Sequence, residues 1–152
     1  MKIDIRSAQE DEINTLLEFE KGIIEAERPH DTTLKEGEIH YYDLIELIKS
    51  DEAEVVVALV NDELVGSGYA KILAAKPYQK HTHFAYLGFM YVKPEFRGKG
   101  INKMILAVLI NWAKSKGISE IRLEVYDDNL IAKKAYLKAG FTSNLLEMRI
   151  EV

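Results

Sequence analysis

Between Ile101 and Trp112 the apolar residues Ile101, Met104, Ile105, Val108, Leu109 and Trp112 stand at offsets of 0, 3, 4, 7, 8 and 11, the spacing of one helical face. Before this stretch lies His83 to Val92, aromatic and apolar enough for a central strand. After it comes Glu120 to Tyr126, which alternates apolar and charged residues as a strand does. A strand, a helix with one apolar face and a second strand bury that face in essentially one way: the strands run parallel and the helix crosses over them right-handed. This unit restricts the fold more than any other feature of the chain.

The rest of the chain is arranged around it. Ala53 to Val60 and Leu64 to Leu73, separated by Asn61-Asp62-Glu63, predict a β-hairpin. Gly66 and Gly68 interrupt its second strand, marking a bulge, a close backbone approach or simply a weak strand. Met1 to Arg6 alternates like an opening strand and lacks the apolar core of a secretion signal. Ser7-Ala8-Gln9-Glu10 reads as a capping box, and Ile13, Leu16, Leu17, Glu20, Ile23 and Ile24 continue it as a helix that Arg28-Pro29-His30 ends. Tyr41, Leu44, Ile45 and Ile48 suggest a shorter second helix. Near the end, Asp127-Asp128-Asn129 caps a helix over Leu130 to Ala139, Gly140 terminates it, and a final strand is expected from Phe141 to about Ile150. Residues 1–152 therefore read as a single domain of mixed α/β class. Its sheet is expected to be mostly antiparallel with six or seven strands, a parallel β-α-β centre and helices on both faces.

Composition narrows the chemistry. The chain has no cysteine, which excludes disulfide scaffolds, thiolate-ligated metals and a thiolate nucleophile. The longest apolar run, Val55 to Val60, falls far short of the ~20 residues that cross a bilayer, so a cytoplasmic protein without a membrane partner is expected. Net charge is -5, but residues 1–75 carry 7 Lys/Arg against 18 Asp/Glu while residues 76–152 carry 13 against 7. An acidic half attracts a cationic ligand and a basic half attracts phosphate. The basic residues are not interleaved with aromatics, which speaks against nucleic acid as a partner.

The segment richest in chemistry is Val92-Lys93-Pro94-Glu95-Phe96-Arg97-Gly98-Lys99-Gly100-Ile101-Asn102, a strand passing through a glycine turn into a helix. Glycines let the backbone approach a ligand, and the uncapped N–H groups of a helix start form an anion site, to which Arg97, Lys99 and Asn102 add donors. Two other phosphate motifs are absent: Gly98-Lys99 is followed by Gly100 and not Ser/Thr, and Lys103 stands where a dinucleotide fingerprint needs glycine. Gly66-Ser67-Gly68 is likewise not a nucleophile elbow.

Taken together, Val92-x-Pro94 with Arg97-Gly98-Lys99-Gly100-Ile101, and Asn129-x-x-Ala132-x-x-x-Tyr136-x-x-x-Gly140-Phe141 some thirty residues on, resemble the GNAT family of N-acetyltransferases over residues 84–142. The resemblance implies acetyl-CoA as co-substrate and no metal. It implies that the pyrophosphate is held by the backbone of Arg97, Gly98, Lys99, Gly100, Ile101 and Asn102. The pantetheine arm would lie between the two parallel strands against Met90, Tyr91 and Val92, with Asn129 helping to hold the cofactor. It makes Tyr136 the acid that protonates the departing sulfur. The chain departs from the family pattern at Asn102, where a small residue is usual, and at Gly88, where many members carry an acidic base.

Amine attack on a thioester needs donors for the developing oxyanion, an acid for the thiolate and a sink for the amine proton. The base is open between Glu27, Tyr86, Glu124 and a chain of waters. The expected function is transfer of acetyl from acetyl-CoA to a primary, cationic amine in a direct ternary complex. The acceptor is a small molecule or a peptide or protein amine, and the protein is expected as a homodimer that pairs or exchanges Leu145 to Ile150. The alternative is a catalytically silent acyl-CoA sensor, motivated by the missing acid at Gly88.

Overall fold

The computed structural model describes all 152 residues. Strands β1 (Ile3–Ser7), β2 (Ala53–Val60), β3 (Glu63–Ala74), β4 (His83–Val92) and β5 (Ile121–Arg122) form one sheet in chain order. β1 to β4 pair antiparallel, and β5 runs parallel to β4 with helix α3 (Ile101–Ser115) crossing between them. The turn between β2 and β3 places Asn61 and Asp62 at φ 50° and 65°, the left-handed conformation these two residue types tolerate.

The alternation of β2 divides the core. Val56, Ala58 and Val60 point to one face and pack with Ile101, Ile105 and Leu109 of α3. Val55 and Val57 point to the other, where Leu16, Phe19 and Ile23 of α1 (Ile13–Glu27) and Leu44 of α2 (Leu44–Lys49) cover them. A Cβ at Gly68 would meet Ile105 Cγ2 at 2.7 Å, so this glycine is a point of close approach for α3. No helix is long and apolar enough to cross a membrane.

Three expectations change. The capping box is built by Gln9 and Glu12, because Ser7 is drawn into β1 opposite Val56. β5 holds only two residues of the expected seven. The sheet has five strands, because the segment after Phe141 forms none. Phe141 is tied to the end of helix α4 (Leu130–Lys138) by its N–H to the Tyr136 carbonyl at 3.0 Å, and from residue 142 on the chain makes no backbone hydrogen bond. A strand forms only where a neighbour accepts its ladder, and within this chain the tail meets none.

Candidate active site

The two parallel strands are joined at Ala85/Ile121 and Tyr86/Arg122 and share no ladder beyond. Beyond the ladder β4 carries a bulge: Phe89, fully buried, has φ 57°, and the β3/β4 register shifts between Ser67 and Tyr69. A bulky residue in this region is strained by about 1–3 kcal/mol and persists only where packing over-determines it. Here the buried Ser67 hydroxyl donates to the Phe89 carbonyl at 2.9 Å, and the ring packs edge-on against Tyr42. Met90, Tyr91 and Val92 follow the bulge on β4, past the last residue that pairs with β5.

At the end of β4 the glycine turn opens. Arg97 Nε donates to the Val92 carbonyl at 2.9 Å, and its guanidinium lies 5.9 Å from the centre of the Tyr91 ring. Gly98 and Gly100 have φ 76° and 82°, and a Cβ at either would touch nothing within 4 Å, so the turn faces open space. Gly100 is the N-cap of α3 and no side chain caps the helix, which leaves its first-turn N–H groups facing outward. That arrangement fits a pyrophosphate. The Ile101 side chain is core, so only its N–H remains for a ligand. Asn129 is the N-cap of α4, its Oδ1 accepting from Ala132 N at 3.3 Å.

Tyr136 lies half-buried on α4, packed against the α3 side of the core and edge-on to Phe141. Burial and the charge of Glu27 push its phenol up, while the Asn102 side chain opposes the rise. Glu27 is half-buried, and desolvation raises its carboxyl above the ordinary 4.5. The Tyr41 hydroxyl is buried, and that burial, with the nearby Glu27 carboxylate, drives it upward. The other two candidate bases hold each other: Tyr86 Oη donates to Glu124 Oε1 at 2.8 Å, and burial with this bond raises Tyr86. Gly88 also has a physical explanation. A Cβ there would lie 2.6 Å from Tyr69 Oη, so a phenol from β3, pushed up to about 12 by burial, fills the space an acidic side chain would need.

Further residues that spacing did not single out converge here. Glu20, 1% exposed, accepts from the backbone N–H groups of Tyr41 and Tyr42 at 2.9 and 3.0 Å and bonds His40 Nδ1 at 2.6 Å, which fixes the segment carrying Tyr41. Tyr126 Oη donates to Asp31 at 2.7 Å, and His30 Nδ1 bonds Asp128 at 2.8 Å. The Thr33 and Tyr126 hydrogen bonds hold the Asp31 carboxyl down to about 2. These pairs lie 95 and 98 residues apart in sequence, so no local pattern announces them. No three His, Asp or Glu side chains converge where a metal ion could sit.

Comparison with known proteins agrees with this architecture. The model of the Acetyltransferase (GNAT) family matches residues 16–141. The chain is 28% identical over 151 residues to a spermidine N(1)-acetyltransferase of Thermoplasma acidophilum, covering 93% of this chain and 89% of that protein. It is 24% identical over 121 residues to the aminoglycoside N(6')-acetyltransferase type 1 of Salmonella typhimurium, covering 74% of each. A predicted acetyltransferase of Clostridium acetobutylicum, solved with acetyl-CoA, superposes with a TM-score of 0.76 at 21% identity, over 97% of this chain and 96% of that one.

Proposed function

The chain belongs to the acetyltransferase (GNAT) family and is an acetyl-CoA-dependent N-acetyltransferase; from that premise we propose direct acetyl transfer to a cationic primary amine, with Glu27 as base and Tyr136 as acid. The observation that carries this reading is the half-buried pair itself, a carboxyl and a phenol within electrostatic reach, both displaced upward by burial. A phenol held protonated suits donation to a departing thiolate. A raised carboxyl suits a proton taken from an ammonium whose ordinary pKa is ~10.4.

Bound acetyl-CoA supplies the thioester. The α3 N-terminus and the Arg97 to Asn102 turn hold its phosphates, Met90 to Val92 line its arm, and the Asn129 amide stands beside it. Backbone N–H groups at the bulge in β4 offer oxyanion donors. The acceptor meets Glu27 and Glu124 among tyrosines, a setting that favours a cation. The related spermidine and aminoglycoside enzymes support that class. The absence of cysteine agrees with direct transfer.

The test is free CoA release across polyamines, aminoglycosides, amino acids and peptides. Turnover is expected with a polycationic acceptor and falls about a hundredfold in Tyr136→Phe, the range of general acid catalysis. Turnover confined to neutral or anionic amines overturns the cationic assignment, and CoA binding without any turnover indicates a silent binder.

The partner completing the sheet is read as a second copy of this chain. Leu146, Met148, Ile150 and Val152 alternate along the tail and are all exposed, while β5 has a free outer edge. Laid antiparallel on residues 121–126, the tail sets Glu151 opposite Arg122, Arg149 opposite Glu124, and Ile150 opposite Leu123, so charges and apolar side chains match. A two-fold exchange satisfies both edges at once.

A further inference from the structure

Glu27 and Tyr136 are carried by helices from opposite ends of the chain. Glu27 is the last residue of α1, with His30 and Asp31 immediately beyond it. Tyr136 rides on α4, with Tyr126 and Asp128 just before its cap. The platform carrying Tyr136 is weakly supported by the sheet. β5 pairs with β4 at two residues, residues 123–126 share no ladder with β4, and α4 has no buried residue. Three contacts tie this platform to the end of α1: Tyr126 Oη to Asp31 at 2.7 Å, His30 Nδ1 to Asp128 at 2.8 Å, and the His30 and Tyr126 rings stacked 6.1 Å apart at 16°.

We propose that the Asp31–Tyr126 and His30–Asp128 pairs form a clasp between the end of α1 and the approach to α4 that sets the spacing of Glu27 and Tyr136, making these four positioning residues for acetyl transfer. The inference rests on the assignment of Glu27 and Tyr136 as base and acid. Its physical basis is that α4 buries no residue and meets the hydrophobic core through half-buried Tyr136 alone, so packing sets its distance from α1 only loosely. A hydrogen bond that crosses from one to the other therefore defines the distance through which the proton donor and acceptor act. Displacing reacting groups by about 1 Å costs on the order of a hundredfold in rate. Tyr126→Phe removes the clasp bond from one end and Asp31→Asn weakens it from the other, and neither changes side-chain size by more than an atom.

The experiment measures kinetics and amide hydrogen exchange on the full chain, with acetyl-CoA and spermidine or, if spermidine is not turned over, the best amine of the panel. Tyr126→Phe is expected to lower kcat about tenfold with KM for acetyl-CoA unchanged, and Asp31→Asn to do the same. In a Glu27→Gln background Tyr126→Phe should add less than about a twofold loss, because the group it positions is already gone. Exchange over residues 130–138 should quicken in Tyr126→Phe while α3 stays protected. Unchanged exchange in α4, unchanged kcat in both clasp variants, or a full additional loss in the Glu27→Gln background each overturns the clasp. Full activity in Glu27→Gln and Tyr136→Phe overturns the acid and base assignment itself and the positioning role with it. If no amine is turned over, unchanged α4 exchange in Tyr126→Phe alone overturns the clasp, whereas quickened exchange upholds its mechanical part.

Discussion

At the scale of single residues, the site is governed by side chains that burial has pushed away from their solution behaviour. A base must be ionised to act, and desolvation raises Glu27, so activity should fall with decreasing pH through a limb placed above the ordinary 4.5. A pH profile of kcat/KM should show that limb in the native enzyme and lose it in Glu27→Gln. His40 tests the opposite end of the same region. Its bond to buried Glu20 raises it above the ordinary 6.5, so its stabilising contribution is complete below 6.5 and is lost as pH rises through the folded-state value. Denaturant midpoints should therefore decline from mildly acidic to alkaline pH more steeply in the native chain than in His40→Gln. Gly88 is a packing constraint. Gly88→Ala sets a methyl group 2.6 Å from Tyr69 Oη and should destabilise by about 1–3 kcal/mol in thermal unfolding. An alanine there that leaves the unfolding temperature unchanged would show that Tyr69 can move aside. The sequence marks Gly88 as a departure from the family pattern, but that a phenol occupies the space is visible only in the fold.

At the scale of elements, what was legible depended on whether one segment carried the whole signal. Helix α3 was readable because its apolar residues recur at helical spacing; Ile101, Ile105 and Leu109 are buried against β2 and β3, but Met104 and Val108 stand exposed and Leu106 and Ala113 complete the buried stripe instead. Leu109 lies at its centre, fully buried, and Leu109→Ala should cost about 2–5 kcal/mol, read as a shift in the denaturant midpoint at constant slope. Strand β4 was readable from its apolar run, but its bulge was not. Phe89 takes φ 57° because Ser67 on the neighbouring strand and Tyr42 after α1 hold it there, and neither is local to it. The capping box shifted from Ser7 to Gln9 for a similar reason, since pairing with Val56 claims Ser7 before a helix can.

At the scale of the whole molecule, the unmatched tail is the feature with the clearest consequence. Leu145 and Met148 are 91% and 84% exposed, more than an isolated chain gains by keeping them in water. Sedimentation should give a dimer, and Met148→Glu with Ile150→Glu should shift it to monomer without changing the folded monomer's spectrum. A monomer whose tail amides are protected indicates closure onto its own β5 instead. By itself the sequence determined the parallel β-α-β unit, the hairpin, the glycine turn before α3 and the tyrosine on the last helix, because each is written within about thirty contiguous residues by periodicity or by a turn that only glycine accepts. The tertiary structure alone decided the end of the β4/β5 ladder at Tyr86, the filling of the Gly88 space by Tyr69, the pairing of Tyr86 with Glu124, and the Asp31–Tyr126 and His30–Asp128 bonds between residues 95 and 98 positions apart. Those features depend on which side chains meet when distant segments pack, and such meetings leave no periodic trace in the chain.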